Sequence, residues 1–208
     1  IKTDKRSVNV IATESEKTAE AIFSNTNITS EREDAAVFIQ AKAENATAKV
    51  TINNTSISGD WYALSGNGTN TGGKTEITIN SGNLSGNSYG IYHPQVGVMT
   101  INGGTIRGGE TGIEVRSGKV NIYGGNIIGD GNSLENAPNG NGTTTSGAAL
   151  AISQHNTNND IDVNISGGTF TGYYALFEND IQDNYSDNIK ISVTALPRRW
   201  GEYTNCPD

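Results

Sequence analysis

The sequence contains few of the residues that cross-link small folds or bind nucleic acids. It has one cysteine among 208 residues, Cys206, so neither an internal disulfide nor a zinc site made of cysteines can form. Charged residues make up only 17%, and the net charge of −8 without a basic cluster argues against nucleic acids and strongly acidic polymers as partners. No apolar run approaches the ~20 residues of a membrane helix, so membrane insertion is not expected.

Glycine is abundant, with 26 copies, and it marks a repeat. Each copy reads as an apolar-x-apolar strand, a Gly/Asn turn, an isolated apolar residue, a second glycine and a third short apolar segment. The isolated apolar residue recurs at intervals of 21 to 43 positions, at Ile28, Ile57, Leu84, Ile106, Ile127 and Phe170. The shortest intervals match one coil of a β-solenoid, and we predict an all-β fold of about six coils.

Two further registers support this alignment. In the first strand of each repeat, isoleucine points inward while Thr or Asn points outward. In the third segment of each repeat, a small residue followed by an aliphatic one recurs. Beside the first strands, Asn53, Asn80 and Asn102 are predicted to stack as an amide ladder. The inward column comprises Ile52, Ile79, Ile101, Ile122 and Ile165, and the small–aliphatic pairs are 36–37, 63–64, 90–91, 112–113, 149–150 and 175–176.

Three of the repeats resemble those of right-handed parallel β-helix proteins: Asn102-Gly-Gly-Thr-Ile-Arg-Gly108, Tyr123-Gly-Gly-Asn-Ile-Ile-Gly129 and Ser166-Gly-Gly-Thr-Phe-Thr-Gly172. They are similar to repeats of secreted and surface-anchored bacterial proteins in the pectate-lyase-like superfamily, including adhesins and autotransporter passengers. The resemblance covers roughly 21–193 and implies a right-handed parallel β-helix that is exported or surface-exposed. It does not imply one activity, because this fold carries lyases, glycosidases, adhesins and proteins without known activity.

Both ends depart from the repeat. Residues 1–20 are predicted to be an N-terminal cap or an incomplete first coil, with a short capping helix in the Glu/Lys/Ala-rich run 14–21. Residues 194–208 are a non-repeat tail. Between Gly129 and Gly147 the sequence predicts a protruding loop without apolar periodicity. Open coil ends expose strand edges, which makes end-to-end association of the chain an expected property.

The alignment places one acid–acid–base group in neighbouring coils. Glu110 and Asp130 are predicted to approach to about 5 Å, with Arg107 nearby, a spacing that suits acid–base chemistry on a glycan. A solvated turn with scattered charges is the competing and favoured interpretation, because turns select Asp and polar residues regardless of function.

A second group lies on the outward column of the third segment. Tyr92 is predicted to stack on Glu114, with His93, Arg116 and Trp61 nearby, as a small sugar-binding shelf. Structural filling of the corner by these aromatic residues is the competing interpretation. The outward column and the additional aromatic residues at this corner are Phe38, Ser65, Tyr92, Glu114, Ala151 and Phe177, with Tyr62, Tyr89, Tyr173 and Tyr174.

No cofactor or metal is expected. Calcium fits the number of carboxylate oxygens, but no stacked acidic cluster forms from Asp130, from the pair Asp160 and Asp162, or from the pair Asp180 and Asp183. His93 and His155 lie too far apart in the repeat to share a metal, and each is predicted to be a surface residue.

These observations favour a secreted or cell-surface module, bacterial by resemblance, that presents a non-catalytic binding face to a glycan or host surface. A carbohydrate-active lyase or hydrolase that uses Glu110, Asp130 and Arg107 is the alternative. A second alternative is an ice-binding face made of the column Thr51, Thr78, Thr100, Asn121 and Asn164.

Overall fold

The apolar positions that recur along the sequence lie inside a parallel β-helix. The structure is a computed structural model and describes residues 1–32, 34–139, 142–153, 156–178 and 189–194. This part of the chain contains strands and no helix. The strands are, in chain order, β1 (Lys2–Thr3), β2 (Val8–Ala12), β3 (Thr18–Ser24), β4 (Asn27–Ser30), β5 (Ala35–Ala41), β6 (Thr47–Asn53), β7 (Thr55–Gly59), β8 (Tyr62–Gly66), β9 (Lys74–Ile79), β10 (Gly82–Gly86), β11 (Tyr89–His93), β12 (Gly97–Ile101), β13 (Thr105–Gly108), β14 (Thr111–Val115), β15 (Gly118–Ile122), β16 (Asn126–Gly129), β17 (Glu135–Asn139), β18 (Gly142–Ser146), β19 (Ala148–Ile152), β20 (Ile161–Ile165), β21 (Thr169–Thr171), β22 (Tyr174–Glu178) and β23 (Ile189–Val193).

Successive strands of each coil belong to three different parallel sheets of seven strands. Sheet A has the order β1-β4-β7-β10-β13-β16-β21, sheet B the order β2-β5-β8-β11-β14-β19-β22, and sheet C the order β3-β6-β9-β12-β15-β20-β23. The predicted parallel β-helix is therefore confirmed, with seven coils rather than about six. The strands beyond the six predicted coils are β1 and β2, which precede them, and β23, which follows them.

The predicted capping helix in 14–21 is wrong, because this run leads into strand β3. Exposed and half-buried side chains alternate along β3, and Ala21 and Phe23 pair with Val50 and Ile52 of the next coil. A period of two places both apolar side chains on the core side, which a helix would not do. The Glu/Lys/Ala composition favoured a helix, and the tertiary pairing overrides that preference.

The core is a set of apolar columns that run along the solenoid, as the alignment predicts. The inward isoleucines of sheet C are buried, and Val37, Leu64, Ile91, Ile113, Leu150 and Leu176 pair in register along sheet B. The asparagine ladder is also confirmed: Asn80 donates to Asn53 at 2.8 Å, and Asn102 donates to Asn80 at 2.7 Å. Each coil therefore reproduces the environment of its neighbour.

An outer column of sheet C alternates in charge. Lys49 Nζ lies 2.9 Å from Glu76, and Lys119 Nζ lies 3.3 Å from Asp162. Opposite charges therefore face each other in adjacent coils, where like charges would repel. The full column is Glu20, Lys49, Glu76, Val98, Lys119, Asp162 and Lys190.

The second glycine of each repeat lies at the sharp corner between sheets A and B. A Cβ on Gly86 would lie 1.9 Å from the carbonyl oxygen of Tyr89, and one on Gly108 would lie 1.8 Å from that of Thr111. Real side-chain carbons do not approach backbone oxygens so closely. The abundance of glycine is thus explained in part by steric exclusion at a repeated corner.

A buried glutamine connects three coils near the loop that precedes β9. The Gln95 side chain accepts from the Ala41 amide at 3.1 Å and donates to the carbonyls of Ala41 and Gly73 at 2.6 and 2.9 Å. These contacts satisfy backbone groups at a point where strand pairing is interrupted. No pattern in the sequence indicated this role.

One coil carries an inserted hairpin. Strands β17 and β18 pair antiparallel between β16 and β19, in the segment for which the sequence predicted an irregular protruding loop. The polar Asn/Gly/Thr composition concealed the two strands, because neither contributes an apolar face to the core. Of the predicted tail 194–208, residues 195–208 lie outside the described residues, and the tail stays a prediction. No helix within the described part is long and apolar enough to cross a membrane.

We predict that Gly86→Ala destabilises the protein by about 2–3 kcal/mol, because the new methyl group collides with backbone that cannot move without unpairing two coils. Equilibrium denaturation in urea measures the change. Ser85→Ala, at the adjacent exposed position, is the control and should change stability by less than about 0.5 kcal/mol. Equal stability of the two variants would contradict the steric explanation of this glycine column.

Candidate ligand-binding cleft

A cleft of about 450 Å³ opens on the outer side of sheet B. Among the residues that line it are Trp61, Tyr62, Tyr89, Tyr92 and Glu114. Trp61 directly precedes β8, and strands β8, β11 and β14 supply the others from three neighbouring coils, so the stacking of the solenoid brings together positions that are far apart in sequence. The predicted shelf thus lies within a recess.

The aromatic wall follows from the register of the coils. Tyr62 and Tyr89 pair in register and their rings stack at 5.5 Å, while the Tyr62 and Tyr92 rings lie 5.8 Å apart. Trp61 meets Tyr62 edge to face at 6.3 Å and remains 47% exposed. The indole therefore offers an apolar surface to solvent at the cleft.

The first coil also supplies cleft residues. Arg6 binds Asp34 at 2.8 Å, and its guanidinium lies 3.8 Å from the centre of the Phe38 ring. All three residues line the cleft. The sequence did not predict Arg6 or Asp34 as cleft residues. Residues 1–20 were interpreted as a cap or partial coil, and the Val8-Asn-Val10 alternation was the signal that could have placed Arg6.

The predicted stacking of Tyr92 on Glu114 is confirmed by the register of β11 and β14. Arg116 donates from a terminal guanidinium nitrogen to the Tyr92 hydroxyl at 3.1 Å, and its Nε lies 3.8 Å from Glu114 Oε1. Glu114 is 0% and Arg116 1% exposed by side chain, so the pair is buried at the inner end of the cleft. Sequence analysis placed both residues on an open shelf.

The inserted hairpin explains this burial. Thr111 Oγ1 donates to the Thr145 carbonyl at 2.8 Å, which holds β18 against β14, and Thr144 lines the cleft. Both ends of the insertion bind the backbone of Glu110, because the amides of Gly131 and Gly147 donate to its carbonyl at 3.2 and 3.0 Å. The hairpin therefore covers the outward face of the coil that carries Glu114.

Burial changes the acidity of the cleft side chains. It raises the pKa of Glu114 to about 8, a rise that the nearby Arg116 and the backbone amide of Thr145 partly oppose. It also raises the pKa of Tyr92 to about 12, and with the negative charges of Glu114 and Glu110 it raises the pKa of Tyr62 and of Tyr89. At neutral pH the cleft thus presents phenol groups and a carboxyl that is largely protonated.

His93 does not belong to the cleft surface, and its prediction as a surface residue is wrong. The side chain is 2% exposed, and burial lowers its pKa to about 4, so the ring is neutral at pH 7. Strand alternation is the reason: Tyr92 points outward, so His93 points inward in register with Val115. His155, the other histidine, lies outside the described residues.

The three acid–base candidates are divided between two places. Arg107 binds Asp130 with two hydrogen bonds, of 2.5 and 2.9 Å, on the exposed face of sheet A. The negative charge of Glu110 acts instead on Tyr62, Tyr89 and Glu114, at the other side of the corner. None of the three lines the cleft, and the exposed Arg107–Asp130 pair is of the kind that adds little stability.

The remaining candidates lie apart from the cleft. Tyr173 and Tyr174 meet edge to face in the last coil, with ring centres 5.3 Å apart, and the Tyr174 and Phe177 rings lie 6.0 Å apart. Among the described residues, no three His, Cys, Asp or Glu side chains are grouped so that they could hold a metal ion. The threonine column of sheet C runs beside the alternating charges, which hydrate strongly and interrupt an uncharged lattice.

Comparison with protein-family models, with curated proteins and with solved structures yields no match.

We predict that the stability of the protein depends on the ionisation of Glu114. The folded pKa, about 8, lies above the unfolded value, so the neutral carboxyl favours folding fully below about pH 4.5 and this contribution is lost as the pH rises to 8. Relative to Glu114→Gln, the wild-type free energy of unfolding should fall across this range by roughly a few kcal/mol. Chemical denaturation at several pH values measures the difference in the free energy of unfolding between the two proteins. Both contain His93, so its pH-dependent contribution cancels.

Glu76→Gln is the control for this measurement. Lys49 holds the pKa of Glu76 below its usual range, so its contribution to stability is present at neutral pH and is lost in acid, the opposite direction. Parallel pH profiles for the wild type and Glu114→Gln would contradict the assignment of a buried, neutral Glu114.

Proposed function

We propose that the protein is a non-catalytic binding module that holds a neutral glycan in the cleft on sheet B. The observation that carries the proposal is the combination of an exposed aromatic ring with buried polar groups in one recess: Trp61 at the opening, and Tyr89, Tyr92 and Glu114 inside. Sugars have both an apolar ring face and hydroxyl groups, so they match such a surface.

The size of the cleft supports a small number of sugar units. Its volume of about 450 Å³ lies in the range of ordinary ligand sites, roughly 300–1,000 Å³. The recess is open along the stacked coils of sheet B. A short segment of a longer glycan can therefore bind while the rest of the polymer continues along the solenoid.

The charge of the protein favours a neutral ligand. Its net charge of −8 repels strongly acidic polymers at long range. Within the cleft, Arg6 is neutralised by Asp34, and Arg116 lies beside Glu114. Uncharged hydroxyl groups bind here without competing for the ion pair between Arg6 and Asp34.

The proposed setting is the bacterial cell surface or the secreted fraction. The support is the resemblance of the Gly-Gly repeats at 102–108, 123–129 and 166–172 to those of the pectate-lyase-like superfamily and of adhesins. Attachment to a glycan or host surface is a role that a rigid parallel β-helix with one lateral cleft can perform.

Hydrolysis or elimination on a glycan is the second candidate, favoured by one observation. The raised pKa of the buried Glu114 is typical of a carboxyl that donates a proton to a leaving group. A glycosidase also needs a second carboxylate about 5–9.5 Å away, and Asp130 is held in an ion pair with Arg107. We therefore favour binding without turnover.

We predict that Trp61→Ala lowers the affinity for the best-bound sugar at least tenfold, because the exposed indole supplies the apolar platform. Isothermal titration with neutral oligosaccharides of glucose, mannose, galactose, xylose and N-acetylglucosamine identifies the ligand and measures the change. Tyr123→Ala, which removes an exposed aromatic ring from outside the cleft, is the matched control and should leave the affinity unchanged.

The same mixtures are assayed for new reducing ends and unsaturated products. Turnover that Glu110→Gln or Glu114→Gln abolishes would replace the binding proposal with the enzymatic one. Absence of binding to every sugar, or equal loss of affinity in the two aromatic variants, would contradict a glycan site at this cleft.

A further inference from the structure

Two buried polar groups of the cleft lack a hydrogen-bond partner of good geometry within the described part of the chain. They are the Glu114 carboxyl, at both of its oxygens, and the Tyr89 hydroxyl. The backbone amide of Thr145 acts on the first and the side chain of Glu110 on the second without reaching that geometry. Glu114 is 0% and Tyr89 3% exposed, and both line the cleft. Almost all buried polar groups in folded proteins have partners, and leaving one unsatisfied is unfavourable in free energy. A ligand that supplies those partners recovers this free energy.

The neighbours of Glu114 determine which partner it needs. Arg116 of the same coil lies 3.8 Å away at Nε, and Glu110 contributes a negative charge from the preceding corner. Strand β18 contributes the uncharged Thr145, and β19 contributes Ala151, the in-register partner of Glu114.

On the other side, strands β8 and β11 contribute three phenols, Tyr62, Tyr89 and Tyr92, all with a raised pKa. These phenols stay protonated where Glu114 titrates. One cation and one anion therefore act on Glu114 in opposite directions, and its burial keeps the carboxyl protonated.

We infer that Glu114 and Tyr89 determine the specificity of the cleft by binding two hydroxyl groups of one sugar unit, with the Glu114 carboxyl donating a hydrogen bond to a sugar oxygen. The inference rests on the proposed function and identifies the part of the ligand that the cleft recognises. Both protein groups can donate and accept hydrogen bonds, and so can a sugar hydroxyl.

Charged ligands fit these two groups less well. A ligand cation would meet the buried guanidinium of Arg116, and the net charge of −8 disfavours an anionic ligand at long range. A purely apolar ligand would leave both groups without hydrogen-bond partners. Binding sites that hydrogen-bond a hydroxyl group discriminate strongly against ligands that lack it.

The experiment compares the affinity of the best-bound neutral oligosaccharide at pH 6 and pH 9 for four proteins: the wild type, Glu114→Gln, Glu114→Leu and Tyr89→Phe. If only the protonated carboxyl binds, the wild-type affinity falls about tenfold between these pH values. Glu114→Gln retains a donor without an ionisable proton, so its affinity should be independent of pH. Glu114→Leu and Tyr89→Phe should each bind at least tenfold more weakly than the wild type at pH 6.

A direct titration supplies a second readout. The carboxyl carbon of Glu114 in labelled protein should titrate near pH 8 without ligand and at higher pH with saturating ligand, because binding favours the proton. Circular dichroism confirms that each variant is folded, and Glu114→Gln carries the test if Glu114→Leu does not fold.

The outcomes separate the two proposals. Wild-type affinity that does not change or that rises with pH, or a pH dependence that persists in Glu114→Gln, overturns the role of Glu114. If Trp61→Ala still abolishes binding in that case, the glycan site itself stands. If no sugar binds, the proposed function fails and this inference fails with it.

Discussion

Every residue of the β-helix faces its counterpart in the next coil at a distance of about 4.8 Å, and this constraint determines which side chains each position can hold. Isoleucine, valine and leucine satisfy it inside, because identical apolar groups stack without voids. Asparagine satisfies it outside by forming the ladder from Asn53 to Asn102. At the corner between sheets A and B, glycine satisfies it at positions 59, 86, 108 and 129, because a carbonyl oxygen occupies the space of the missing side chain.

The cleft depends on the same constraint and on one departure from it. Stacking brings Tyr62, Tyr89 and Tyr92 together, although their chain positions span two repeats. The hairpin β17–β18 is the departure, since it has no counterpart in the neighbouring coils. By covering β14 it converts an outward, solvated carboxyl into a buried one. The chemistry of the site thus arises where repetition is interrupted.

The features that depend on periodicity could be predicted from the sequence. The features that depend on one segment covering the surface of another could not. The apolar columns, the asparagine ladder and the stacking of Tyr92 on Glu114 followed from spacing alone. The inward orientation of His93 also followed from alternation, since its neighbour Tyr92 points outward, and it was overlooked because histidine is usually a surface or ligand residue. The burial of Glu114 could not be predicted, because the hairpin's strands carry no apolar pattern that reveals which surface they cover. Residues 1–20 predict either a cap or an incomplete first coil, because Val8-Asn-Val10 is the one apolar alternation that they contain.

The alternating column of sheet C bears on how a chain of similar repeats selects its own neighbours while it folds. Repeats that resemble each other can mispair by omitting a coil and still bury apolar side chains. Such an omission would place Glu20 beside Glu76, or Lys119 beside Lys190, at a separation where like charges repel. Val98 lies between Glu76 and Lys119, where a charged side chain of either sign would repel one of these two neighbours. The charges therefore distinguish one coil from another, which the apolar core does not do. They favour pairing of each coil with the next one in sequence over mispaired structures that omit a coil.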